Sequence, residues 1–382
     1  MKRIVFIVLT VLAAIIVAFC LWPSGSRFDR NLNVITKPYR FSLIKWEFGA
    51  ITSETWQSLL VHESPTKSDI VVAYFSAIQS GKLTTSDGIP VAKLRQRVEK
   101  IIQQQVRIVI SECGIKNPWN NFLGIHFPPL SFVLSTPPDI LVTSPRDKIE
   151  ILKEVRLQPN LTTAEMESIE SKTEKLSVSA MVMNLGGIGT FPAFINNEAS
   201  LPEVLNDAAH EWIHQYLAFK PLGFRYVLDL LGVSPNYEIV TINETVAGIF
   251  GDEIGALVYN KYYASYYTQT SNQPSGDSQP FDFNAAMRSI RLTVDGLLAQ
   301  RQIDQAEQYM ETQRQFLQTK GYYIRKLNQA YFAFNGTYAS SPTSISPIGA
   351  KIKEIRSESL SIKAFLATMS RITDLYRLNA LH

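Results

Sequence analysis

Ser200-Leu201-Pro202-Glu203 opens a stretch that runs to His210-Glu211-Trp212-Ile213-His214, and its reading decides the fold. Ser200 caps a helix and Glu203 completes a capping box three residues on. Pro202 falls in the first turn, where its missing N–H does no harm. Leu205, Ala209, Trp212, Ile213 and Tyr216 then recur as an apolar stripe. On such a helix, residues four apart share a face, so the imidazoles of His210 and His214 can point at one ion. Two neutral imidazoles suit zinc. Glu211 lies beside the pair, where it can take a proton from a water that the ion activates. The competing reading is two histidines on a solvated helix face with an incidental glutamate.

A catalytic zinc needs a third protein ligand and an open fourth position. The other histidines are His62, His126 and His382, none of them nearby in sequence. A third histidine in the His-x-x-Gly-x-x-His arrangement is absent, because Leu217 and Lys220 occupy the relevant places. The expected ligand is a carboxylate from a second helix. Asn243-Glu244-Thr245-Val246-Ala247 opens one, and Ala247, Gly248, Gly251 and Gly255 would let it pack closely on the first. The interval between His214 and Glu244 has room for a short helix and a loop with Pro221, Gly223, Gly232 and Pro235. Asp252 and Glu253, two turns further on, compete as ligands. Asp252 is also a candidate for orienting a ligand imidazole, or for a simple cap or ion pair.

At these residues the chain resembles the gluzincin metallopeptidases, the thermolysin-like and aminopeptidase-like enzymes in which His-Glu-x-x-His is followed by Asn-Glu on the next helix. The longer segments His-Glu-Trp-Ile-His-Gln (210–215) and Asn-Glu-Thr-Val-Ala (243–247) resemble a group of bacterial membrane-associated aminopeptidases. The resemblance covers about 178–263 and is weaker over the final helices, including Ser346-Pro347-Ile348-Gly349. It implies one catalytic zinc ion and a peptide or protein substrate. It also implies a substrate backbone paired to the edge strand before the helix, with Gly187, Gly189 and Phe191 as the candidate contacts. Two positions depart from the pattern. Thermolysin-like enzymes carry an acid four residues after the ligand glutamate, where this chain has Gly248. Many aminopeptidases hold the substrate amine with a glutamate in a Gly-x-Met-Glu-Asn segment; the comparable stretch here, 186–192, has none, although Glu198 is near. Endo- and exopeptidase modes both stay open. With no spare histidine, the oxyanion donor must be a tyrosine or an arginine. Tyr338, expected on a loop after a long helix, is the first choice among 16 tyrosines, with ordinary packing as its alternative role.

Outward from this centre, the chain has 382 residues, 46% of them hydrophobic and 19% charged, which excludes a disordered tail. A net charge of +3 gives no footprint for nucleic acid, so no such partner is expected. Two cysteines exclude a disulfide framework or a four-cysteine zinc site. Residues 4–22 carry no charge. As a helix they would span roughly 28 Å, close to the hydrocarbon thickness of a bilayer. They lack the small-x-small cleavage site of a signal peptide. The expectation is an uncleaved, single-pass anchor in contact with the lipid bilayer. Lys2 and Arg3 favour a cytoplasmic N-terminus, with the catalytic domain outside the cytoplasm, although Arg27, Arg30 and Lys37 follow on the other side.

Between anchor and motif, helices are expected at 42–60, 69–79 and 90–112. Short strands follow at 132–134, 140–142 and 149–155, then a helix at 162–175 opened by a Thr162–Glu165 capping box. Strands at 178–183 and 191–195 flank a Gly-rich turn at 186–189, where a close backbone approach is expected. Beyond lie helices at 200–219, 239–263, 283–300, 304–320 and 348–378, with an exposed polar loop at 268–280. The fold class is therefore α+β and zincin-like: a small antiparallel sheet packed on a mainly helical body, with an N-terminal transmembrane helix. The expected division is an anchor at 1–27, a helical region at 28–120 and a zincin-like metallopeptidase domain at 121–382. A catalytically silent, zinc-containing peptide-binding protein at the membrane is the alternative from another class. A metal-free helical scaffold is the third.

Overall fold

Capping chemistry sets where the helices begin. Thr162 N–H donates to the Glu165 carboxylate at 2.9 Å and Glu165 N–H to the Thr162 hydroxyl at 3.3 Å. Ser200 N–H donates to Glu203 at 2.7 Å. The computed structural model describes residues 26–41, 64–116, 128–185, 187–188, 190–230, 232–267, 281–338, 341 and 343–381. The apolar run at 4–22, the helix expected at 42–60 and the loop expected at 268–280 lie outside them. Among the described residues no helix is long and apolar enough to cross a membrane.

The elements run α1 (Arg27–Thr36), a 3-10 turn (Lys37–Tyr39), α2 (Ser68–Gln79), α3 (Val91–Glu112), β1 (Phe132–Ser135), β2 (Asp139–Pro145), β3 (Lys153–Leu157) and α4 (Thr163–Glu174). Then come β4 (Val178–Asn184), β5 (Gly187–Ile188), β6 (Ala193–Asn196), α5 (Leu201–Leu217), α6 (Pro221–Leu230), α7 (Tyr237–Tyr262) and α8 (Ala264–Tyr267). The chain ends with α9 (Phe283–Ala299), α10 (Ile303–Thr319), α11 (Gln329–Asn335), α12 (Pro347–Glu358), α13 (Ile362–Met369) and α14 (Leu375–Asn379). The mixed α+β character is as expected, but the strands form two three-stranded sheets rather than one. The order β3-β2-β4 is antiparallel throughout, with Val142 opposite both Glu154 and Met181. The order β1-β6-β5 contains a parallel pair, β1 with β6, and an antiparallel pair, β5 with β6.

The helix expected at 348–378 is three helices. Ser361 accepts from Ala364 N–H and Asp374 from Arg377 N–H, and each cap starts a separate helix. α1 went unread in the sequence, although Ser26 and Asp29 form a capping box at its start.

The largest core joins α2 and α3 to α5, α7 and the last three helices, through Val98, Ile102, Leu205, Ile213, Val246, Phe250 and Phe365 among others. Side chains close most of the sheet edges. Gln103 donates to Phe132 O at 2.8 Å, and Leu134 N–H donates to Glu99, which covers the outer edge of β1. Along β4, Val182 N–H donates to Glu170, while Arg325 donates to Val182 O and Asn328 to Ala180 O. The edge of β3 meets the 39–41 segment through Phe41 N–H to Arg156 O and Gln158 N–H to Tyr39 O. Unpaired strand edges invite pairing with another chain. No described residue hydrogen-bonds to the outer edge of β5, the two-residue strand ahead of β6.

Candidate metal centre

α5 is fixed by the residues inside the motif. Trp212 donates its indole N–H to Pro128 O at 2.9 Å and stacks on Phe250 and Tyr216 at 5.9 and 5.4 Å. Ile213 is fully buried. With Trp212 and Ile213 drawn into the core, the helical repeat turns His210, Glu211 and His214 to the opposite side.

α7 lies closely against this helix because two of its residues have no side chain. A Cβ at Gly255 would stand 1.8 Å from Asn206 Oδ1, and one at Gly251 would stand 2.9 Å from Asn206 O and 3.1 Å from His210 Cβ. Gly248 makes no such approach and faces open space. That contact brings Glu244 to the two imidazoles. His210 Nε2 is 3.4 Å from Glu244 Oε2, His214 Nε2 is 3.6 Å from Glu244 Oε1, and the two Nε2 atoms are 3.1 Å apart. Ligand atoms about 2.0–2.1 Å from a tetrahedral zinc ion lie about 3.3 Å from one another. The donor set and its spacing therefore fit such an ion. His210, His214 and Glu244 are one group that could hold a metal.

The surroundings tune these ligands. His214 Nδ1 lies 2.6 Å from Asn243 Oδ1. An oxygen acceptor there keeps the proton on Nδ1 and leaves Nε2 to present its lone pair. The other end of the Asn243 amide, Nδ2, is buried without a partner among the described residues. Tyr226 on α6 stacks on the His214 ring at 5.3 Å and donates to Glu244 Oε1 at 2.7 Å. Burial opposes charge on His210, but a hydrogen bond accepted by Glu244 and the nearby Glu211, Glu244 and Asp207 carboxylates outweigh it and push the imidazole up to about 9. Burial likewise opposes charge on Glu244, yet the two histidines hold its carboxyl far below the usual range. The cluster is built to hold positive charge.

Glu211 is only 8% exposed. Burial pushes its carboxyl up to about 7 against the pull of His210 and His214. It abuts β5 so closely that a Cβ at Gly187 would stand 2.6 Å from Glu211 Oε1. Gln215, one turn on, donates to Thr190 O at 2.6 Å and ties the same helix to the segment after β5. Phe191, half-buried, belongs to that segment, and Gly189 lies outside the described residues.

Tyr338 follows the seven-residue α11 rather than a long helix. Burial first, then the Glu244, Glu211, Glu154 and Asp207 carboxylates, raise its phenol well above the ordinary value, so all four acids stand within electrostatic reach of it. Asp252 accepts from Asn206 at 3.2 Å and touches neither imidazole; Asn243 does the orienting. Glu253 is held by Arg356 in a two-pronged ion pair, at 2.7 and 2.9 Å. Glu198 is exposed on the turn before α5.

Sequence reasoning assigned no role to Asn243, Tyr226 or Gln215. Asn243 was within reach, since it precedes Glu244 directly. Tyr226 gave no signal, being one aromatic among many. Comparison with family models, with curated proteins and with solved structures finds no match.

Proposed function

We propose that this chain is a zinc peptidase of gluzincin type, anchored to a membrane by residues 4–22, with its catalytic body outside the cytoplasm. The observation that carries the reading is the meeting of His210, His214 and Glu244 at 3.1 to 3.6 Å, with Glu211 on the same side of its helix and in no ion pair among the described residues. A zinc ion held by these three residues would polarise a carbonyl and acidify a water molecule. Glu211 Oε accepts the proton from the attacking water and later delivers it to the leaving amine. The Tyr338 hydroxyl donates to the oxygen that becomes negative in the transition state. The substrate backbone adds to the open edge of β5, beside Glu211, and the closed edges of the other strands leave it little competition. Asn243 and Tyr226 hold His214 and Glu244 in place.

The test uses the full-length chain in detergent, with zinc measured against protein and a diverse peptide library assayed with and without a chelator. Stoichiometric zinc with chelator-sensitive cleavage supports the reading. Zinc and peptide binding without cleavage selects the silent binding protein. A chain that takes up no zinc overturns both.

A further inference from the structure

Away from the metal centre, a cavity of about 350 Å³ lies between the end of α4, the start of β4, α10 and the first residue of α11. Its volume is at the small end of the range for ligand pockets. None of its lining residues belongs to the metal centre. Val178 and Met310 give it a buried apolar wall. Arg146, Glu174, Glu307 and Lys326 give it a charged one.

The charged groups are already matched. Arg146 donates to Glu307 at 2.7 and 2.8 Å and to Asp304 at 3.1 Å. Lys326 is held by Glu174 and, at 3.5 Å, by Glu170. Gln329, which also lines the cavity, differs. It is fully buried, and its Nε2 donates to Arg146 O at 2.8 Å and to Glu307 Oε1 at 3.2 Å. Both partners are acceptors, which fixes the nitrogen end of the amide. Gln329 Oε1 is left buried without a partner among the described residues. A buried acceptor with no donor is costly, and native structures seldom leave one.

What the cavity lacks is therefore a donor. Glu174 meets Lys326 through Oε1, which keeps its Oε2 available as a further acceptor. The acids of this linked set, Glu170, Glu174, Asp304 and Glu307, outnumber its cations, Arg146, Arg325 and Lys326. A donor that brings positive charge fits better than a neutral one. An ammonium group has three N–H donors and no acceptor. The Val178 and Met310 wall suits an alkyl chain behind it.

We infer that this cavity binds a primary alkylammonium group, from a free amine or a lysine-type side chain, with its N–H groups on Gln329 Oε1 and the adjoining carboxylates. The inference is independent of the peptidase reading.

The test is calorimetric titration of the full-length chain in detergent, with zinc bound and after chelation, because an amine can also ligate a metal. The probes are n-butylamine, Nα-acetyl-lysine amide, n-butanol and butyltrimethylammonium. The last keeps the charge but has no N–H. Saturable binding of butylamine, indifferent to zinc and about 10- to 100-fold tighter than that of butanol or butyltrimethylammonium, supports the inference. Acetyl-lysine amide that binds as well as butylamine assigns the site to a side chain; one that binds far more weakly assigns it to a free amine. Gln329→Met keeps the length and removes the acceptor, so butylamine should weaken by the same factor while zinc content is unchanged. No saturable binding of either amine means that water alone serves Gln329, and overturns the inference. So do butylamine binding lost on chelation, equal affinity for butylamine and butyltrimethylammonium, or an affinity unchanged in Gln329→Met. If Gln329→Met does not fold, an alkylamine bearing a diazirine takes its place. Photolabel on Val178 or Met310, displaced by butylamine, supports the site; label confined to other residues overturns it.

Discussion

Glu211 and Glu244 are both buried carboxylates on the metal side of their helices, yet they must do opposite things. Glu244 lies 3.4 and 3.6 Å from the two imidazole Nε2 atoms and accepts from the Tyr226 phenol. Glu211 has none of these and lies against the bare backbone of Gly187. A carboxylate without a donor or cation beside it keeps basicity for a substrate water, whereas one fixed by a phenol beside two imidazoles keeps its charge as a ligand. Glu211→Gln keeps the shape and removes the basicity. It should retain zinc while turnover falls on the order of 10²- to 10⁴-fold, read as metal content beside single-turnover cleavage. Glu244→Ala should lose zinc under mild chelation. Asn243→Ala and Tyr226→Phe, which remove supporting contacts, should weaken zinc by about 10- to 100-fold. Asp252→Ala, whose carboxylate meets Asn206 and no imidazole, should bind zinc like wild type. If Asp252→Ala and not Glu244→Ala sheds the metal, the ligand set is wrong. Tyr338→Phe tests the oxyanion donor. Zinc content should be unchanged, with kcat down about 10²- to 10³-fold and KM little altered.

Elements decide whether those residues meet. α5 and α7 lie close enough for Glu244 to reach both histidines because Gly251 and Gly255 offer no Cβ. Gly255→Ala would put a methyl carbon 3.0 Å from the Asn206 Cα and far inside its amide. It should destabilise the fold by about 1–3 kcal/mol and lower zinc affinity as the helices part, measured by denaturant unfolding and metal titration. Gly248→Ala, facing open space, is the matched control and should do neither. This pairing was partly legible in the sequence. Small residues four apart on a helix announce a close neighbour, and the capping boxes at Thr162 and Ser200 announced two helix starts. Caps inside a continuous apolar periodicity were harder to see. Ser361 and Asp374 each restart a helix within the apolar periodicity of Ile352, Ile355, Ile362, Phe365 and Leu366. The parallel pairing of β1 with β6 was not legible. It depends on two strands far apart in the chain finding one another, and short apolar runs carry no record of their partner.

Across the whole molecule, one buried acid links the N-terminal helices to the sheet that carries β5. Glu99 on α3 accepts from Leu134 N–H at 2.8 Å and so closes the outer edge of β1, while β6 and β5 extend the same sheet towards Glu211. Burial pushes its carboxyl up to about 7, with the Leu134 hydrogen bond, Arg95 and Lys100 pulling the other way. A carboxyl whose pKa is higher in the folded than in the unfolded chain binds more protons when folded. Its contribution to stability is therefore fully present below about pH 4.5 and declines as pH rises through about 7. Glu99→Gln can still accept from Leu134 through its carbonyl oxygen but has no charge to desolvate. It should be more stable than wild type at pH 8 by about 1–3 kcal/mol, with the difference shrinking towards zero near pH 4.5. Urea unfolding of both chains across this pH range, at constant ionic strength and zinc, measures it. A difference that stays flat from pH 4.5 to 8 would show that Glu99 is charged throughout. The tie between α3 and β1 would then be an ionised hydrogen bond rather than a neutral one.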